Sequence, residues 1–324
     1  MIFFSNERIK KFLESFFREK PLEIQSLLFS GEKDLGKMTT ALNFSKALLC
    51  LNQKKWGGCN NCESCKLFDL NLHPDLKIIE TKGDNISIDE IKGKEEENKE
   101  GAIQFLSYYP QISPLKIVII NEAEKLTYEA QNAFLKTLEE PPKNSLIILV
   151  SSQPEKLLLT VRSRVINLKF KPAFKEKIAK YLQKEFLVEE TKAFKIAKES
   201  RGKIGLAIKL LDKNYLKERE EIFKEFINLS NKSFIFKSNY LDEKIKSLEE
   251  SENSNERKKT NKIREMIELW LEKLEKEIKG EEKEILITNE KKLKLIRELL
   301  AAYDLISSSN INSQLLLENI FLNI

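Results

Sequence analysis

The sequence predicts an α/β domain built on a parallel sheet, then a small helical domain, then a larger all-helical one. Three observations carry this. Five short apolar runs, at 26–29, 76–79, 116–120, 145–150 and 165–169, alternate with helical segments. A loop bearing glycine and lysine, GEKDLGKM (31–38), lies between the first run and a helical stretch. After Pro172 the strand signal stops and only helical periodicity continues. The resulting boundaries are 1–171 for the α/β domain, 172–212 for the small helical domain and 213–324 for the C-terminal helical domain.

Taken in order, residues 5–19 place Ile9, Phe12, Leu13, Phe16 and Phe17 at helical spacing. The runs at 116–120 (KIVII) and 145–150 (SLIILV) are apolar at consecutive positions. That is the pattern of a parallel strand buried on both faces. Ser87-Ile88-Asp89-Glu90 reads as a capping box that opens a helix. Residues 127–140 put Ala130, Phe134 and Leu138 on one helical face, and Pro141-Pro142 stop that helix. Residues 174–211 read as two or three short helices. Residues 242–261 are polar and nearly free of large apolar side chains, which suits a loop or a solvated helix end. Ile263, Met266, Ile267, Trp270, Leu271, Leu274 and Ile278 then form a helical stripe closed by Gly280. Further stripes follow at 293–306 and 313–322.

Charged residues make up 33% of the 324 residues, with both signs interspersed and a net charge of only +5. A dedicated DNA-wrapping protein would be far more basic. No apolar run approaches the roughly 18 residues of a membrane span, and the first residues lack the long apolar core of a signal peptide. The expectation is a cytoplasmic, reducing location without membrane contact.

The 31–38 loop has the spacing G-x-x-x-x-G-K of a phosphate cradle, in which backbone N–H groups and a helix N-terminus converge on anionic oxygens. Gly31, Gly36 and Lys37 stand where that chemistry needs them. Met38 stands where a hydroxyl should meet Mg²⁺, and Thr39 comes one residue late, so its hydroxyl is expected to point elsewhere. The second metal position, after the 116–120 run, is Asn121 rather than Asp, followed by Glu122. A thioether and a neutral amide hold Mg²⁺ poorly. The reading is a phosphate-loop fold that has lost hydrolysis, with ATP or ADP binding through Lys37 and the backbone left open.

Cys50, Cys59, Cys62 and Cys65 are the only cysteines, spaced C-x8-C-x2-C-x2-C. Four thiolates within so short a span suit a tetrahedral, structural Zn²⁺. A disulfide pair and unliganded thiols are the alternatives, the former disfavoured in a reducing compartment. His73, beside Pro74, reads as a turn residue rather than a fifth ligand.

These features occur in a telling order: GEKDLGKMT, the inserted cysteines at about 50–65, HPD (73–75), NEAEKL (121–126), NAFLKTLEEPP (132–142) and VRSRV (161–165). Together they resemble the bacterial clamp-loader subunits of DNA polymerase III, within the AAA+ ATPase superfamily. QLLLENIFLNI (314–324) is similar to the last helix of that family's collar domain, so the resemblance spans nearly the whole chain. Two subunit types share most of these motifs. The gamma/tau type is an ATP-hydrolysing motor; the delta-prime type is a largely passive stator. The chain departs from the motor pattern at Asp34, where Gly is usual, at Met38 and at Asn121. It departs again at Gly205, near the place of a lid arginine that senses the γ-phosphate.

The resemblance therefore implies the delta-prime type, with the gamma/tau motor, using Glu122 as base, as the alternative. It also implies that Arg164 of Ser163-Arg164-Val165 acts as an arginine finger, reaching a neighbour's nucleotide in trans; Val165 replaces the usual Cys. Arg162 is the weaker candidate. The implied setting is a hetero-pentamer with gamma/tau and delta subunits that loads a sliding clamp onto primed DNA. A module binding DNA on its own through a lysine-rich surface is the third reading, disfavoured by the modest net charge.

Overall fold

The computed structural model describes residues 7–17, 26–52, 55–81, 85–94, 99–230, 256–281, 283–285 and 287–308. The stripe at 313–322, the closing segment 314–324 and most of the polar stretch 242–261 lie outside them. The chain forms two compact units, Met1–Leu211 and Asp212–Ile324.

In the first unit the five apolar runs form one sheet. Its strands are β1 (Ser26–Ser30), β2 (Leu76–Ile79), β5 (Lys116–Ile120), β6 (Ser145–Ser151) and β7 (Ile166–Lys169), in the order β2-β5-β6-β1-β7. Every neighbouring pair is parallel. β5 and β6 are buried at every position, as consecutive apolar residues require of central strands covered on both faces. Alternate side chains serve two cores. Leu27, Phe29, Ile117, Ile119, Ile148 and Val150 pack under α1 (Glu7–Ser15) and α2 (Lys37–Leu49). Leu28, Val118, Ile120, Ile147 and Leu149 pack under α4 (Ile88–Lys92), α5 (Ala102–Ser107) and α6 (Tyr128–Glu139).

Because the strands are parallel, the sheet has two chemically distinct edges. The C-terminal edge carries the 31–36 loop after β1, Asn121 after β5 and Ser152 after β6. The N-terminal edge carries Arg164, which lies between the short helix α7 (Leu159–Arg162) and the start of β7. α4 opens with the expected capping box: Oε2 of Glu90 accepts from the Ser87 N–H at 2.8 Å. Three elements were not foreseen. α3 (Glu63–Asp69) sits inside the cysteine segment, and β3 (Gly93–Lys94) pairs antiparallel with β4 (Lys99–Glu100). Strands of two residues are too short to show any period.

The strand-free stretch after Pro172 folds as α8 (Lys175–Phe186), α9 (Glu190–Glu199) and α10 (Ile204–Lys209). They share a small core of Ile178, Ala179, Leu182, Ala193, Ile196, Ala197, Ile204 and Ala207.

The second unit contains α11 (Lys213–Ser230), α12 (Glu256–Ile278) and α13 (Asn289–Ser308). Its core gathers Phe226, Ile263, Ile267, Trp270, Leu274, Leu295 and Leu299. The Trp270 and Phe226 rings stack with centroids 5.1 Å apart. Gly280 follows α12 at φ +73°, the left-handed turn that ends a helix. Buried charge is paired: Glu277 accepts from Lys292 at 3.0 Å and from the Ile285 amide, and Arg219 meets Glu272 at 2.6 Å.

Candidate functional site

Three groupings of side chains carry chemistry. The first is a cleft of about 360 Å³ at the C-terminal sheet edge. Gly36, at φ +83°, is the N-cap of α2, and Gly31 takes φ +137° where the chain leaves β1. Lys37 is buried, and its Nζ donates to the carbonyls of Gly31 (2.6 Å) and Glu32 (2.5 Å). Desolvation lowers its pKa to about 8, against the opposing pull of Glu124, Asp34 and Glu32. Met38 and Thr39 both line the cleft. Asn121 does too, and its Nδ2 donates to Oε1 of Glu80 at 3.2 Å. Glu122 stands in the left-handed region at φ 52°, with its carboxylate 2.8 Å from Nζ of Lys125.

The two positions expected to seat magnesium are poor in hard oxygen. The two metal-side positions offer sulfur and an amide, and Glu122 is engaged by an ammonium. The phosphate half of the cradle is otherwise formed: loop glycines, helix N-terminus and lysine are all in place. Sequence reasoning missed two neighbours. Glu124 accepts from the hydroxyl and amide of Ser152, and its other oxygen is buried without a hydrogen-bond partner among the described residues. Lys209, from α10, lines the same cleft. Glu124 lies within the quoted NEAEKL, but only the fold brings Lys209 there.

The second grouping is the cysteine knuckle. All four Sγ atoms lie within 4.8 Å of one another. Cys50 and Cys62 are 3.9 Å apart, as are Cys59 and Cys65. Metal–sulfur bonds of about 2.3 Å in a tetrahedron require sulfurs roughly 3.8 Å apart, whereas a disulfide requires about 2.05 Å. The set therefore fits a metal ion held by four thiolates. Backbone amides already point at the sulfurs: Cys62 N–H donates to Cys59 Sγ at 3.3 Å and Cys65 N–H to Cys62 Sγ at 3.5 Å. The amides of Asn61 and Cys62 draw the Cys59 thiol down to about 6, while burial pushes Cys65 up to about 12.

His73 is not a ligand, and it is more than a turn residue. It is buried, and its Nδ1 accepts from the Asp75 N–H at 3.0 Å. Nε2 then bears the proton and faces the hydroxyls of Ser64 (2.9 Å) and Ser113 (3.1 Å), both of which donate to Leu49 O. Leu49 and Ser64 each precede a cysteine of the knuckle. The imidazole thus pins the knuckle to the segment before β5. Asp75 fixes that segment from the other side, accepting from the amides of Gln111, Ile112 and Ser113 at 2.7–2.8 Å.

The third grouping surrounds Arg164. Its Nε donates to Oε2 of Glu139 at 3.1 Å and its Nη1 to Thr160 O at 3.0 Å. Ser163 donates its hydroxyl to the same carbonyl. Arg162 is exposed. The buried Gln131 holds the start of α7, accepting from the Leu158 N–H at 2.7 Å while donating to Leu126 O. Arg164 is therefore presented on the sheet edge opposite the chain's own phosphate loop.

A family model described as "DNA polymerase III, delta subunit" matches residues 5–174, more than half of the chain. The DNA polymerase III subunit delta' of Bacillus subtilis is 34% identical over 157 residues, covering 48% of this chain and 44% of that protein. The tau subunit of the same organism is 32% identical over 211 residues, 64% of this chain and 36% of that protein. The delta' subunit of Escherichia coli is 28% identical over 199 residues, 61% of this chain and 57% of that protein. In each case the chain spans less than two thirds of the relative's own length. No helix among the described residues is long and apolar enough to cross a membrane. With its five-stranded parallel sheet, its phosphate loop at the C-terminal sheet edge and this match, the chain belongs to the DNA polymerase III, delta subunit family.

Proposed function

We propose that this chain is a clamp-loader subunit of the delta-prime type, which completes a neighbour's ATP site and does not hydrolyse ATP itself. The observation that carries the reading is the placement of Arg164. It stands before β7 on the N-terminal sheet edge, whereas the phosphate loop follows β1 on the other edge. A guanidinium there serves a nucleotide held by another subunit. Such a cation stabilises the charge that develops on a transferring phosphoryl group, worth about 10³–10⁵ in rate in GTPase systems. The cleft's own metal-side residues, Met38 and Asn121, support the absence of hydrolysis in cis.

On this reading Gly31, Gly36, Lys37, Thr39 and Glu122 are the remnant of a nucleotide site, able to take ATP or ADP without turning it over. Cys50, Cys59, Cys62 and Cys65 hold a structural Zn²⁺. The partners are gamma/tau and delta subunits in a hetero-pentamer, with the sliding clamp and primed DNA engaged by the assembled complex in the cytoplasm.

The test reconstitutes this chain with gamma/tau and delta subunits, the clamp and primed DNA. Arg164→Ala should lower DNA-stimulated ATPase at least tenfold while leaving assembly on a sizing column intact. Undiminished turnover would reject the finger role. Phosphate release by the purified chain alone, abolished by Lys37→Ala, would establish the gamma/tau-type motor instead.

A further inference from the structure

The phosphate loop is fastened to α10 and its N-cap residue at three points. The Gly205 N–H donates to the Asp34 carbonyl at 2.7 Å. Nζ of Lys209 donates to Oδ2 of Asp34 at 3.2 Å, joining residues 175 positions apart in sequence. Nζ of Lys203 lies 2.8 Å from Oε2 of Glu32. The fit is also steric. A Cβ on Gly205 would stand 2.7 Å from Oδ1 and 2.9 Å from Cβ of Asp34. The Asp34 side chain therefore fills the room that any larger residue at 205 would need. Asp34, Gly205, Lys209 and Lys37 all line one cleft. The ammonium that α10 presents to the cleft is thus met by a carboxylate of the loop itself, where a bound nucleotide would offer a phosphate.

We infer that Asp34, helped by Glu32, is an internal anionic clasp that holds α10 on the phosphate loop and competes with a nucleoside diphosphate for the cleft. The clasp takes the place of the ligand that would otherwise draw the lid down. It keeps the small helical domain seated when no nucleotide is bound. It also places a negative charge beside the cradle, which any incoming polyphosphate must displace or tolerate. The inference concerns the isolated chain and holds whether or not Arg164 reaches a neighbour.

Hydrogen exchange on the full-length chain tests the clasp, and equilibrium binding of ADP without added metal tests the competition. Asp34→Asn keeps the shape of the side chain and tolerates the left-handed φ of 61° at this position. Asp34→Asn and Lys209→Ala should each speed exchange of the amides at 204–209 by about threefold, the return expected from one partly exposed ion pair. The amides of α8 should stay unchanged. Asp34→Asn should also tighten ADP binding by about tenfold, because a like charge leaves the cradle. Lys209→Ala should not tighten it, since it removes a cation. Unaltered exchange at 204–209 in both variants would overturn the clasp, and ADP binding no tighter in Asp34→Asn would overturn the competition. Should Asp34→Asn fail to fold, the Lys203→Ala/Lys209→Ala double variant reads the same exchange, and the same unaltered result would count against the clasp.

Discussion

A Cβ on Gly58 would stand 2.7 Å from Sγ of Cys65 and 3.2 Å from the carbonyl of Lys46, and the backbone there is at φ +70°. Both the sterics and the dihedral exclude an L side chain from this turn. Gly58→Ala is expected to displace the Cys65 sulfur and weaken metal binding at least tenfold, read by competition with a chromogenic chelator. Equal metal retention would show that the turn can yield. His73 gives a second residue-scale prediction. Desolvation lowers its pKa from the ordinary 6.5, Asp75 opposes the shift and Lys116 adds to it. A histidine held neutral binds fewer protons folded than unfolded, so its stabilising contribution is complete above the unfolded value and is lost as pH falls below it. Unfolding free energy should therefore decline between about pH 7 and 5, and His73→Gln should flatten part of that decline. Thiolate protonation affects both proteins alike, so the difference between the two profiles belongs to the imidazole. Parallel profiles would remove His73 from the account.

At the scale of elements, α6 links the sheet core to the arginine edge. Its apolar face packs Ala130, Phe134 and Leu138 into the core, while Gln131 bridges Leu126 O and the Leu158 N–H. Gln131→Ala strands a buried carbonyl and a half-buried amide, and should cost about 1–3 kcal/mol in urea unfolding. It should also loosen α7, and with it Arg164, so on the function proposed for Arg164 the ATPase of the reconstituted complex should fall further than lost stability alone predicts. A stability change below about 0.5 kcal/mol would show that the bridge is dispensable. The same scale explains what the sequence disclosed. The strands were legible because a buried parallel strand must be apolar at each position, as at Ile117, Val118, Ile119 and Ile120. The knuckle was legible because four cysteines at C-x8-C-x2-C-x2-C spacing suit one tetrahedral metal ion. The β3–β4 pair was not, since two residues cannot express an alternation. Nor could the ties of Asp34 to Lys209 or of Arg164 to Glu139 be read, because each joins ordinary surface residue types across a distance that only the folded chain closes.

At the scale of the whole molecule, each unit has its own core and its own tryptophan, which makes the two separately observable. Trp56 belongs to the first unit. Its Nε1 donates to Glu14 at 2.8 Å, its ring meets Phe17 at 5.3 Å, and it stands three residues before Cys59. Trp270 is fully buried in the second unit's core against Phe226. A structural metal stabilises the state that binds it, and here it would clamp only the segment from Cys50 to Cys65 onto a sheet that has an extensive core without it. Chelation should thus weaken the first unit by a few kcal/mol rather than unfold it. For a unit of this size that is a fall of about 5–10 °C in melting temperature. Trp270→Phe leaves Trp56 as the sole tryptophan, and its selectively excited emission should report this fall. Trp56→Phe leaves Trp270, whose transition should stay within about 1 °C, because none of the four cysteines lies in its unit. Equal displacement of both transitions would mean that the two cores melt as one, and that the knuckle's metal supports the helical C-terminal unit as well as the sheet.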